Sequence, residues 1–152
     1  MTKRELASGH FKQGYNCAQS VVLAFKDELG LDERTLLTMA SPFGGGMGRL
    51  REVCGAVSGA FIVLGLKFGY VSAEDYEGKK RLYGYVQEVG NRFKALNGSY
   101  ICSELVGLPA GADKPAPEKR TDEYYKKRPC ADLVGDAAEI LERFIEEVAY
   151  RG

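Results

Sequence analysis

Four cysteines, Cys17, Cys54, Cys102 and Cys130, are the residues of this chain best suited to chemistry. As thiolates they are nucleophiles and metal ligands, and in pairs they exchange two electrons by forming a disulfide. Their spacing narrows this little. Successive cysteines lie 37, 48 and 28 residues apart. There is no C-x-x-C pair, so neither the thioredoxin-type nor the zinc-ribbon signature is formed. Taken one at a time, such cysteines are as a rule small buried hydrophobes. Position argues otherwise, because each falls at the start of an expected helix.

Cys17 follows Asn16, a good N-cap, and Cys54 opens an apolar segment. Cys102 precedes a short helical stretch after the Gly98-Ser99 break, and Cys130 follows Pro129, a residue favoured near helix starts. A helix N-terminus carries about half a positive charge and unpaired N–H groups. Both favour a thiolate over a thiol and lower its pKa. Arg49 and Arg51 precede Cys54, and Lys126, Lys127 and Arg128 precede Cys130. The expectation is a thiol redox protein with Cys54 as attacking thiolate and lowest-pKa thiol, and Cys17, Cys102 or Cys130 resolving it as a disulfide. This reading needs no cofactor. The alternative is a binding module in which all four thiolates hold a metal centre, a [2Fe–2S] cluster ahead of zinc. Either chemistry requires at least two of the sulfurs to be neighbours in space.

The elements that must position these residues read as helices. From Val53 to Phe68 the only charge is Lys67. Gly55, Ala56, Ser58, Gly59 and Ala60 recur there at spacings of three and four. A helix without a polar face is buried on every side, and its glycines allow close approach, so residues 53–68 are expected to be the central and most buried helix. Thr2 and Glu5 form a capping box for a first helix to about Lys12, and Asn16 with Gln19 a second, for a helix ending at Gly30. Asp32 caps a helix to Ala40, stopped by Ser41-Pro42. Ser72 caps a long helix with a stripe at Leu82, Val86, Val89, Phe93 and Leu96. Residues 108–117 form an irregular loop, and 119–128 a solvated charged face. The last helix runs from Cys130 to Arg151. With no period-2 signal, the expected fold is all-α, a single-domain helical bundle over residues 1–152.

Composition excludes several functions. Twenty-one basic and twenty-one acidic residues balance, which argues against nucleic acid or an acidic membrane surface as partner. The N-terminus has no apolar h-region, and the longest apolar run, Ala60 to Leu66, is too short to span a bilayer. A cytoplasmic location is expected, where a structural disulfide framework is unusual. Gly44 to Arg49 matches neither phosphate-binding fingerprint and reads as a plain turn. His10, the single histidine, lies in the first expected helix and reads as a surface or satisfied residue, not as half of a Cys–His dyad.

The order Cys17, then Cys54-Gly55-Ala56-Val57-Ser58-Gly59, then Cys102 and Cys130 resembles the C_GCAxxG_C_C family of small redox-active proteins. The resemblance runs from Asn16-Cys17-Ala18 through Phe43-Gly44-Gly45-Gly46 to Cys130. It implies a redox-active protein whose partner is another redox protein or a small thiol, with a homo-oligomer allowed. A related four-cysteine region in split-Soret-type cytochromes is associated with an iron–sulfur centre, which is the metal alternative. Their haem attachment is not implied, since this chain has no C-x-x-C-H.

Overall fold

The structure, a computed structural model, describes residues 1–151. It is all-α. Helix α1 covers Lys3–Lys12, α2 Cys17–Ala24 and α3 Glu33–Ala40; α4 covers Gly55–Phe68, α5 Tyr76–Asn97, α6 Cys102–Val106, α7 Asp122–Lys127 and α8 Cys130–Arg151. Among the described residues the only β-type pairing is an isolated antiparallel bridge between Val53 and Ile101.

The helix starts follow local chemistry. Thr2, Asn16 and Asp32 each accept a hydrogen bond from the third helical residue, and Gln19 returns one from the Asn16 N–H to complete its capping box. Elsewhere the boundaries move. Helix α2 stops at Ala24 and a 3₁₀ turn, Lys26–Glu28, carries the chain to Gly30. Asp75, not Ser72, caps α5, its carboxylate accepting from the Gly78 N–H. Within 119–128, Thr121 caps α7, so this charged stretch is helical in part.

Helix α4 sits in the centre, between α2, α5 and α8. Gly55 to Ala60, Val63 and Leu64 are buried, whereas Leu66 is 37 % exposed. The first half is thus enclosed on every side and the second half has an outward flank. Its neighbour α2 is as dry, with six of its eight residues buried. A Cβ on Gly59 would meet the Ala18 carbonyl oxygen at 2.7 Å, and one on Gly55 would lie 3.1 Å from the Cys17 Cβ. These two glycines let α4 lie directly against the start of α2, beside the first cysteine.

The turn before α4 is not a plain one. Backbone φ is positive at Gly45, Gly46, Met47, Gly48, Arg49 and Arg51. Three of these are not glycine, and a left-handed conformation costs such residues about 1–2 kcal/mol each. It is held by close packing: a Cβ on Gly44 would fall 2.6 Å from that of Asn16, and one on Gly46 2.5 Å from that of Cys102.

Candidate four-cysteine redox site

Three tertiary features bring the cysteines together. In the bridge, Cys54 N–H donates to Tyr100 O at 2.8 Å and Cys102 N–H to Glu52 O at 2.6 Å. Two short extended segments therefore hold Cys54 and Cys102 side by side as their helices begin. The glycine contacts set Cys17 against α4. Packing of α8 on α2 brings in Cys130. All four side chains border one cavity of about 270 Å³. Each lies at a helix start: Cys17, Cys102 and Cys130 are first helical residues and Cys54 is an N-cap. All four are free thiols.

They are not equivalent. Cys54 and Cys102 are buried at 5 % and 7 % exposure, whereas Cys17 and Cys130 are partly exposed. Burial pushes the Cys54 thiol up to about 12, against weaker support from the Ala56 and Val57 N–H groups. The helix start is present, but desolvation outweighs it. The expectation that Cys54 has the lowest pKa is therefore corrected. That place belongs to Cys130, held down at about 7 chiefly by a hydrogen bond from the Cys17 thiol, with help from Arg128, the Tyr124 hydroxyl and Arg120. The same bond, with burial, raises Cys17 well above the ordinary thiol value. Arg51 serves a different sulfur from the one its sequence position suggests: its Nη1 lies 3.5 Å from Cys102 Sγ.

The cavity wall and the loop beside it hold two residues that the sequence did not mark for the site. Arg120, expected on a solvated face, donates to Phe11 O at 2.9 Å and Tyr15 O at 3.1 Å and stacks 4.0 Å over the Phe11 ring. Asp113, in the irregular loop, forms ion pairs with Arg49 at 3.0 Å and Arg51 at 3.1 Å, accepting a hydrogen bond from Arg51. These long-range pairs tie the loop to the strained turn. Their only sequence signal was charge: Arg120 stands in a charged run, and Asp113 is the one acidic residue of a Pro- and Ala-rich loop. His10 is not part of the site; its ring packs edge-on against Tyr15.

Four thiols on one cavity are the donor set that iron–sulfur centres use. Among the described residues, no group of three or more His, Cys, Asp or Glu side chains is arranged to hold one metal ion, which is what a zinc site requires. None of the helices described is long and apolar enough to cross a membrane.

The placement of Cys17 rests on the Asn16 cap, whose side chain accepts from Gln19 N–H at 2.8 Å and donates to Ser41 O at 3.1 Å. Asn16→Ala is expected to lower stability by about 1 kcal/mol, the usual cost of a lost cap. By freeing the start of α2 it should also raise the alkylation midpoint of Cys130 toward that of an unperturbed thiol. A denaturant melt and a pH–rate series read the two effects separately.

Fold and site together define a class: an all-α protein with four free cysteines gathered at helix starts around one cavity. The chain belongs to the family described as "Putative redox-active protein (C_GCAxxG_C_C)", whose model matches residues 15–144. Among curated proteins and solved structures no match is found.

Proposed function

We propose that this protein is a dithiol–disulfide exchanger in which Cys130 attacks and Cys17 resolves. One observation carries the reading: Cys17 and Cys130 are the two partly exposed cysteines of the four and border the same cavity, where the Cys130 thiol is held down at about 7 beside Cys17 and Arg128. Cys130 is thus the sulfur that is both reachable and ionised near neutral pH.

The chemistry follows from that polarity. The Cys130 thiolate attacks a substrate disulfide, RS–SR, forming the mixed disulfide Cys130–S–SR and releasing RS⁻, which takes up a proton. Cys130 then carries no charge, so the field and hydrogen bond that kept Cys17 protonated are gone. Cys17 loses its proton and attacks the Cys130 sulfur. The second RS⁻ leaves, and a Cys17–Cys130 disulfide remains. Two electrons pass from the protein dithiol to the substrate, and a reduced dithiol protein or a small thiol restores the starting state. Cys54 and Cys102, buried below, do not enter this exchange.

Titrating the reduced protein with a small disulfide tests this. The expected result is loss of two of the four thiols, with the bond mapped to Cys17–Cys130 and Cys17→Ser halted at a mixed disulfide on Cys130. A bond mapped to Cys54–Cys102, or four thiols surviving, would refute the reading. A brown protein after anaerobic purification, with all four thiols protected, would move it to an iron–sulfur centre.

A further inference from the structure

The wall of the four-cysteine cavity is strongly biased in charge. Arg49, Arg51, Arg120 and Arg128 line it, and Glu118 is its single acidic residue. Arg128 pairs with Glu118. Arg49 and Arg51 share one carboxylate, Asp113. Among the described residues Arg120 has no carboxylate partner and is answered by two backbone carbonyls and aromatic faces. Four guanidinium groups therefore face two carboxylates. Arg51 is also buried, at 7 % exposure, and neither its Nε nor the Nη1 of Arg128 has a hydrogen-bond partner.

Burying a guanidinium with idle donors is costly, and shared counter-ions do not recover that cost. A thiolate on Cys130 answers one of the two excess charges and leaves the other. Guanidinium groups suit carboxylates in particular, because the planar fork matches both oxygens. At about 270 Å³ the cavity lies below the roughly 300–1,000 Å³ of drug-sized sites, so a small molecule is indicated.

We propose that the substrate is a small carboxylate-bearing disulfide, drawn in and oriented by the arginines of this wall, with Arg120 supplying the charge that no carboxylate among the described residues matches. This rests on the exchange reading above, since it names the substrate of the same site. Arg120 sits within electrostatic reach of Cys130, so a carboxylate beside it brings the adjacent sulfur to the attacking thiolate. Neutral disulfides of the same size lack this anchor.

Two alkylating reagents of nearly equal size and opposite character test the charge directly. Iodoacetate carries a carboxylate and iodoacetamide does not, and both consume the same thiolate, so ionisation of Cys130 cancels in the ratio of their rates. The reduced full-length protein is labelled with each, Cys130 is quantified by peptide mass, and the same protein unfolded in urea gives the reference ratio. The iodoacetate-to-iodoacetamide ratio should exceed the reference by at least about tenfold, as expected for a cleft of one charge sign. It should fall several-fold in 0.5 M salt and in Arg120→Gln. The salt series uses the unaltered protein and does not depend on how that variant folds. A ratio at or below the reference overturns the proposal, as does a Cys130 that neither reagent reaches. A high ratio without a Cys17–Cys130 disulfide would leave the anion site standing and remove the exchange reading; a mapped disulfide with a flat ratio would do the reverse.

Discussion

Alkylation of the reduced protein at pH 7 should label Cys130 about 10²–10³ times faster than Cys54. The estimate starts from thiol pKa values of about 7 and about 12, which separate the two thiolate fractions by about 10⁵. A more basic thiolate is the better nucleophile, with a Brønsted slope of about 0.4–0.5, and this returns roughly two decades to Cys54. Burial of Cys54 further slows its reaction by limiting access. The Cys130 rate should rise with pH to a plateau with its midpoint near 7, while Cys54 should still be climbing at pH 10. Cys17→Ala removes the neighbour that most lowers the Cys130 pKa and should shift the Cys130 midpoint upward. Site-resolved mass spectrometry of a pulse-labelled pH series measures all three. Cys54 reacting first would return the nucleophile to the central helix and discard the Cys130 assignment.

Gly59→Leu is expected to destabilise the protein by more than about 3 kcal/mol, at the upper end of overpacking effects, and to disorder the redox site at the same time. The Cβ position at Gly59 is 2.7 Å from Ala18 O, 3.0 Å from Ala18 Cα and 3.2 Å from Val21 Cβ. Two of those three atoms are backbone, so relief requires α2 to move as a unit, and Cys17 moves with it. Gly65, on the same helix, has nothing within 4 Å of its Cβ position. Gly65→Ala should therefore stabilise by up to about 1 kcal/mol through helix propensity alone. Denaturant midpoints of Gly59→Ala and Gly65→Ala should shift in opposite directions. A loss of stability in both would mean that general helix packing, not close approach at residue 59, governs the effect.

Much of the fold could be read in the sequence because it is decided over three or four residues. Asn16 with Gln19, Asp32 with Thr35 and Pro129 before Cys130 satisfy backbone donors or set φ locally, so they mark helix starts wherever the helices go. The position of every cysteine at such a start, and the close packing around Gly59, were legible for the same reason. The cap of α5 was not. Ser72 and Asp75 both carry capping oxygens, and only the path of the chain after α4 determines which one meets an unpaired N–H group.

What the cysteines do to one another was a tertiary decision. Cys54 and Cys130 carry the same local signal, a helix start preceded by arginine, yet their pKa values shift in opposite directions. The helix dipole acts within a turn and is visible in the sequence. Desolvation depends on which other elements close over the sulfur, and no local pattern encodes that. Arg51 adjoins Cys102 because the Val53–Ile101 bridge carries it there, across 51 residues. The positive φ angles at Met47, Arg49 and Arg51 fall on residue types that do not announce them, since packing and the shared Asp113 impose them. The sequence by itself determined where helices begin and that each would present a thiol. Only the tertiary structure, by burying two of those thiols and leaving the other two partly exposed on an arginine-lined cavity, sets them apart.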